Sequence, residues 1–459
     1  MILGEQDTIC ALASTPGKSA ISILRVSGKN SIDICEKIFS KKIKDKKSHT
    51  LHFGKIGIDK DNWIDEVLVS VFHHNKSFTG EESVEISCHG STYIQQEILS
   101  LLIKNGCRLA KAGEFTMRAF LNGKMDLTQA EAVTDLISSE NKKAHEIAVQ
   151  QMKGGFSNEL ALLREKMIQF ASLLELELDF VEEDIEFADR SSLISLIEDT
   201  DKHLQQLISS FEYGNAIKNG VPVAIIGAPN TGKSTLLNQL LGEERAIVSN
   251  IAGTTRDSIE EILNIDGIAF RLIDTAGIRE SNDEIEVIGI NKSKEKIKLA
   301  KLILLMNDNV RSIEDTKEWV HLANTIHQSF PEKKILLVMN KIDLFDYYTD
   351  FTKELPYPLI GISAKTGIGI EELKSTMLEL FQQEFDSQSV IISNVRHLEA
   401  LQKGKEALSR AKKLLLEKVS NDFIALDIRD CLHHIGSITG GISHDNLLEH
   451  IFSRFCIGK

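Results

Sequence analysis

The segment that most constrains this chain is an apolar run, Val221–Ile226, followed at once by Gly227-Ala-Pro-Asn-Thr-Gly232-Lys233-Ser234 and then by the apolar stretch Thr235–Leu241. A G-x-x-x-x-G-K-S spacing between a strand and a helix predicts a phosphate-binding loop. Its glycines let backbone N–H groups converge on a β-phosphate, and the helix N-terminus adds partial positive charge. Asn230, Thr231, Gly232, Lys233, Ser234 and Thr235 are the expected contacts, with Lys233 reaching the β and γ oxygens and Ser234 ligating Mg2+. Around this element, residues 221–381 alternate strand-like and helix-like segments, the pattern of a parallel sheet wrapped by helices.

Three further motifs follow in order. The strand-like Phe270–Ile273 delivers Asp274, Thr275, Ala276 and Gly277; Asp274 is expected to hold Mg2+ through water, and the Gly277 N–H to sense a γ-phosphate. Ile335–Met339 delivers Asn340-Lys341-Ile342-Asp343. A carboxylate there accepts two hydrogen bonds from the N–H edge of guanine, for which adenine has no matching donors, so Asp343 selects GTP over ATP. Ser363, Ala364 and Lys365 complete the base pocket. Between the first two motifs lies a switch segment, Ser249, Asn250, Ile251, Ala252, Gly253, Thr254, Thr255, Arg256 and Asp257, in which Thr255 is the expected ligand of Mg2+ and γ-phosphate. One part is missing. Gly277 is followed by Ile278, where small signalling GTPases place a water-orienting glutamine. Another group must position the water, and another cation must offset the developing charge.

The rest of the 459 residues suggests about three domains. With 42% hydrophobic and 26% charged residues, the composition is that of an ordinary globular protein. Residues 1–122 mix short β-like runs (Ile21–Val26, Val67–Phe72, Ser83–Cys88) with a helical stretch near Ile94–Lys104, which predicts an α+β domain. From Asp126 the texture is helical: Leu160, Leu163, Met167, Phe170, Leu174 and Leu178 share one face, and no proline occurs before Pro222. Phe211–Gly220, with Gly214 and Asn215, reads as a linker. After Gln382 helical texture returns, with Leu401, Leu408, Ala411 and Leu415 on one face. The expectation is a multidomain chain, α/β and all-α. A helical domain (123–219 and 383–459) is interrupted by an inserted α/β domain (220–382).

Lys and Arg total 53 against 67 Asp and Glu, a net charge of −14. That balance does not advertise a nucleic-acid binder, although a local basic patch can sit on an acidic protein. The six cysteines (Cys10, Cys35, Cys88, Cys107, Cys431, Cys456) are scattered and fit free thiols in a reducing compartment. No apolar run approaches the ~20 residues that span a bilayer, and no signal peptide is evident, so the expected location is cytoplasmic. The acidic Glu182–Glu186 reads as a solvated helix face.

Asn230, the Gly253-Thr254-Thr255-Arg256-Asp257 run and Ile278 resemble the bacterial translation-factor-like GTPases in which a hydrophobic residue replaces the glutamine. Ser77-Phe-Thr-Gly-Glu81-Glu-Ser-Val-Glu85, Gly113-Glu-Phe-Thr116 and the terminal Phe455-Cys456-Ile-Gly-Lys459 narrow the likeness. End to end, the chain resembles the TrmE (MnmE) family of tRNA modification GTPases. The resemblance implies a P-loop Ras-like G domain and an N-terminal domain that forms a homodimer and binds a one-carbon tetrahydrofolate, formyl or methylene. It carries folate-binding roles to Arg25, Glu85, Lys124 and Lys459. It supplies K+ as the missing cation, held by Asn230, Ser249, Ile251 and Thr254; Ser249 stands where members often show Thr and keeps the oxygen donor. Glu286 matches the glutamate that orients the attacking water through a second water, and Cys456 falls near the folate pocket as a candidate participant in the chemistry. The implied partners are tRNA and the FAD-dependent MnmG (GidA) in a heterotetramer. The implied outcome is a carboxymethylaminomethyl-type group at C5 of the wobble uridine of certain tRNAs. An assembly GTPase for ribosomes or RNA, without one-carbon chemistry, is the alternative; it would have no use for Arg25, Glu85 and Lys459.

Overall fold

The computed structural model describes residues 7–59, 62–179, 190–242, 261–273, 295–308, 313–344, 355–381, 390–417 and 419–441, together with 448, 451–453, 455 and 458. The chain packs as two compact units: Met1–Ser138 with Ala148–Lys202 and Glu399–Lys459, and Ser139–Ile147 with His203–Leu398.

The first unit opens on a six-stranded sheet of β1 (Thr8–Leu12), β2 (Ser19–Ser27), β3 (Thr50–Gly57), β4 (Trp63–Phe72), β5 (Ser83–Gly90) and β6 (Cys107–Leu109), in the order β3-β4-β5-β2-β1-β6. Every pairing is antiparallel except β1 with β6. Alternation sets its faces: β4 buries Val67, Val69 and Val71 and turns Glu66 and Leu68 outward. The buried face is covered by α1 (Ser31–Ile38) and α2 (Thr92–Lys104), through Ile32, Cys35, Ile38, Ile98 and Leu102. Ile21, Leu51 and Phe53 are exposed, and Phe53 pairs across the strands with Leu68.

Two residues of the sequence motifs, Glu81 and Glu114, pair with a buried cation here. Glu81 and Glu114 both grip Arg118 of α3 (Glu114–Leu121), at 3.2 and 3.1 Å, and Asp7 adds a third contact at 2.7 Å. Arg108 also binds Glu114, at 2.7 Å. Burial works to raise the Glu114 carboxyl, but Arg108 and the other partners hold it below its ordinary value. The folded pKa is therefore the lower one. This group stabilises above its unfolded pKa, and that contribution is lost as pH falls through the folded value. Arg118→Ala leaves Glu114 buried with half its cation partners. The expected cost is about 3 kcal/mol, read as a lower denaturant midpoint at unchanged slope.

The helices α4 (Leu127–Ser138), α5 (Lys142–Met152), α6 (Gly155–Asp179) and α7 (Arg190–Asn219) follow. On α6 the stripe Leu160, Leu163, Met167, Phe170 and Leu174 is buried, as its spacing requires. The linker expected over 211–220 is instead the last part of α7, which ends only before Gly220 at φ 73°. Gly214 is there for close packing: a Cβ on it would lie 2.2 Å from the Ile392 carbonyl oxygen. Ile392 N–H donates to Ser210 Oγ at 3.1 Å, and Asn219 donates to Asn215 one turn back.

The second unit holds β7 (Val221–Gly227), α8 (Lys233–Gly242), β8 (Glu261–Ile265), β9 (Ile268–Leu272), β10 (Leu302–Asn307), α9 (Ile313–Ser329), β11 (Lys334–Met339), β12 (Leu359–Gly361) and α10 (Ile370–Glu379). The strand order is β12-β11-β10-β7-β9-β8, parallel except for the β8–β9 hairpin. Both faces are covered, which is why β10 and β11 are nearly unbroken apolar runs. Leu236, Leu237 and Leu240 of α8, with Leu373 and Met377 of α10, pack in the core of one side; Trp319, Ala323 and Ile326 of α9 pack in the other. Because the strands are parallel, the loops after β7, β10, β11 and β12 open on one edge, where α/β sheets bind ligands. After this sheet come α11 (Val395–Leu416) and α12 (Asn421–Thr439). Leu401, Leu408, Ala411 and Leu415 of α11 are buried, and α12 packs along α6 within the first unit.

Candidate guanine-nucleotide site

The loop after β7 is shaped by its neighbours. Gly227 lies beside Met306 of β10, and a Cβ there would stand 2.5 Å from the Met306 carbonyl oxygen. Gly232, at φ 93°, leaves room for Asn340, whose amide nitrogen a Cβ would meet at 2.2 Å. Between them Asn230 takes φ 63°, a left-handed conformation uncommon outside glycine. Thr231 is buried and closes the loop by donating to the Ala228 carbonyl at 2.9 Å. Lys233 begins α8, and its ammonium donates to the Gly227 and Ala228 carbonyls at 2.9 and 2.7 Å. Burial pushes this ammonium below its ordinary pKa, Lys296 adds to the fall, and Asp308 opposes it. Ser234 is half-buried and Thr235 exposed on the same first turn. The N-terminus of α8 opens at this loop, a setting suited to anions.

The loop after β11 is welded to this one by Asn340. Its side chain is almost fully buried, donates to the Thr231 carbonyl at 2.8 Å and accepts from Ala364 N–H at 2.9 Å. One amide thus joins three of the four expected motifs. Lys341, also at φ 63°, donates to the Asn230 carbonyl at 2.8 Å and pairs with Asp308. Asp343 is exposed on the short helical turn Ile342–Leu344, which is fixed by Ile342 N–H to the Ile362 carbonyl at 3.1 Å. Ser363 and Ala364 are buried while Lys365 is exposed. Asp308 is the residue that sequence reasoning missed: a single acid after a strand, with no motif around it.

Of the remaining predicted site residues, Ser249, Asn250, Ile251, Ala252, Gly253, Thr254, Thr255, Asp274, Thr275, Ala276, Gly277, Glu286, Cys456 and Lys459 lie outside the described residues, as does Glu182–Glu186. Among the described residues no cluster of His, Cys, Asp or Glu has the makings of a metal site, and no helix is long and apolar enough to cross a membrane.

A second polar constellation stands on the first sheet. Arg25 of β2 faces Glu85 of β5 in register, and the two are ion-paired at 2.8 Å. The guanidinium carbon lies 5.5 Å from the Phe78 ring centre and 5.7 Å from that of Phe115. Lys124 donates to the Asn75 carbonyl at 3.0 Å, at the base of the loop that carries Phe78. Gly458 abuts the end of β1, where a Cβ would stand 2.3 Å from the Leu12 carbonyl oxygen.

A phosphate loop locked through one buried asparagine to an N-K-x-D turn, at the open edge of a parallel sheet, defines a P-loop guanine-nucleotide-binding protein. Residues 8–124 match the family model described as GTP-binding protein TrmE N-terminus, and residues 127–456 that of the MnmE helical domain. The chain is 52% identical to the tRNA modification GTPase MnmE of Flavobacterium johnsoniae over 99% of each chain. It is 50% identical to that of Cytophaga hutchinsonii, over 100% of this chain and 99% of that one. The G domain of the T. maritima FeoB iron transporter overlays at 30% identity, 35% of this chain and 99% of its own, with a TM-score of 0.27, too low to bear on the fold. The chain belongs to the tRNA modification GTPase MnmE family.

Proposed function

We propose that this chain is a GTPase whose cycle drives tRNA modification, adding a carboxymethylaminomethyl-type group to C5 of the wobble uridine together with an FAD-dependent MnmG-type partner. The carrying observation is the Asn340 linkage, which sets the phosphate loop and the base loop at one site. Thr231, Gly232, Lys233 and Thr235 hold the phosphates. Asn340, Lys341, Asp343, Ser363, Ala364 and Lys365 hold the guanine. The switch residues 249–255 and 274–277 respond to the γ-phosphate. Ser234 offers a hydroxyl at the first turn of α8, a hard oxygen donor that suits Mg2+, with Thr255 as second ligand. Asn230 is exposed, and its amide oxygen suits K+ in company with Ser249, Ile251 and Thr254. When bound, these cations offset charge on the phosphates; the chain's part is to orient water through Glu286 and to fix the nucleotide.

Arg25, Glu85 and Lys124, with Lys459, form the folate site. A cation suits the glutamate tail, a carboxylate suits the donor edge of a pterin, and Phe78 offers a half-exposed ring beside them. Cys456 is a candidate participant there. The exposed Ile21, Leu51 and Phe53 on one sheet face suit a homodimer through this domain. Cys10, Cys35, Cys88, Cys107 and Cys431 are free thiols, which fits a cytoplasmic protein.

The test combines nucleoside analysis with calorimetry. A strain lacking the chain is expected to lose the C5-substituted wobble uridine. Arg25→Ala should fail to restore it and bind formyl-tetrahydrofolate about tenfold or more weakly, without a matching loss of GTP hydrolysis. Full restoration by Arg25→Ala with wild-type folate affinity would remove the one-carbon part of the reading.

A further inference from the structure

We propose that Asp308 is a positioning residue of the GTP cycle: it holds Lys341 on the Asn230 carbonyl and so couples the base loop to the residue assigned above to K+. For that cation the inference rests on the preceding reading. The coupling itself rests on geometry.

Strand order puts Asp308 where it can act. β10 lies between β7, which feeds the phosphate loop, and β11, which feeds the base loop. At its end Met306 stands beside Gly227 and Asn307 beside Met339, and Asn307 accepts from Asn340 N–H at 2.8 Å. The next residue, Asp308, emerges between the two loops. Its carboxylate pairs with the Lys341 ammonium, and that ammonium donates onward to the Asn230 carbonyl at 2.8 Å. Asn230 and Lys341 are both non-glycine residues at φ 63°, so the lysine joins two backbone positions that local preference alone would not keep.

The charge argument points the same way. A carboxylate this close to a phosphate loop repels the anion the loop is built for. Fixing the ammonium offsets that repulsion, because a lysine without a partner would sample other rotamers and release the Asn230 peptide. Asp308 also lies near enough to Lys233 to favour its charged form. Occupancy of the base pocket and order at Asn230 are then two readings of one lysine.

The test measures hydrolysis by the full-length protein against KCl at constant ionic strength, and release of a fluorescent GDP analogue. Asp308→Asn keeps the shape and removes the charge. It should raise the K+ concentration for half-maximal rate roughly fivefold to tenfold, and speed GDP release similarly, the weight of one charge-assisted hydrogen bond at a half-buried site. Adding it to Lys341→Met should change little further, since both remove the same link. A merely structural role would lower thermal stability and the rate at saturating K+ while leaving the K+ midpoint in place. Unchanged K+ midpoint and GDP release in Asp308→Asn overturn the proposal, as do additive effects in the double variant. Should Asp308→Asn not fold, Lys341→Met is read in the same way and an unchanged midpoint and release overturn it equally. A wild-type protein indifferent to K+ would remove the cation assignment of the preceding section, and GDP release would then decide this one alone.

Discussion

GTP hydrolysis by this chain should run about 10³-fold faster in K+ than in Na+ at equal ionic strength, the result expected of the proposed mechanism in which a monovalent cation does what an arginine finger does elsewhere. The expectation starts from an absence: Ile278 follows Asp274-Thr-Ala-Gly277, and an isoleucine cannot orient water. Fingers contribute ~10³–10⁵ in rate in other GTPases, so an ion standing in for one has a large effect. Na+ has a smaller radius and fits the same oxygen cage poorly. Asn230→Ala should be slow in both salts and lose the response to the ion. Glu286→Ala should also be slow in K+, yet retain ion-driven closure of the G domains on one another, since on the proposed reading it removes only the water-positioning group. Phosphate release in KCl and NaCl, with nucleotide-dependent dimerisation by scattering, separates the two variants. Equal rates in both salts for the intact protein would sink the cation mechanism.

Nucleotide choice should collapse with a single atom change at Asp343. Asp343→Asn replaces one acceptor of the carboxylate by an N–H₂ donor, which meets the donor edge of guanine head on. A polar site left unmatched in this way typically discriminates by several orders of magnitude, so GTP affinity should fall about 10³-fold. Xanthosine triphosphate, which presents an acceptor at that edge, should bind better than GTP. The variant tests recognition cleanly because Asp343 is exposed on a turn whose backbone is held by Ile342 and Ile362, not by its own side chain. Competition against a fluorescent GDP analogue gives the ratio, and unchanged GTP affinity would overturn the assignment of the base pocket.

What the sequence revealed of the site is its local part. A phosphate loop needs glycines at fixed offsets between a strand and a helix, so Gly227, Gly232 and Lys233 could be read without knowing the fold. Asp308 could not. Its meaning comes from β10 lying between β7 and β11, an ordering that no local spacing records. The helical stripes on α6 and α11 were legible because burial of one face imposes its period. The end of α7 was misread because Gly214 looks like a breaker, whereas it admits a carbonyl from residue 392, 178 positions away. The cysteines carry the same lesson. Scattered along the chain, Cys10, Cys35 and Cys107 share one core, where Cys10 of β1 and Cys107 of β6 lie on strands that pair in parallel.

The packing of α6 on α12 has a consequence for the chain as it leaves the ribosome. The apolar stripe of α6 is complete once residue 179 has been made, but α12 is complete only at residue 439. At typical elongation rates the interval is on the order of tens of seconds. Throughout it the inserted sheet can already fold, since its strands and covering helices are contiguous. The stripe Leu160, Leu163, Met167, Phe170 and Leu174 meanwhile waits without its α12 neighbour. Insertion of a domain into a helical pair thus makes the earliest helices of the pair the last to be buried, and gives chaperones a long window on a surface that the finished protein hides.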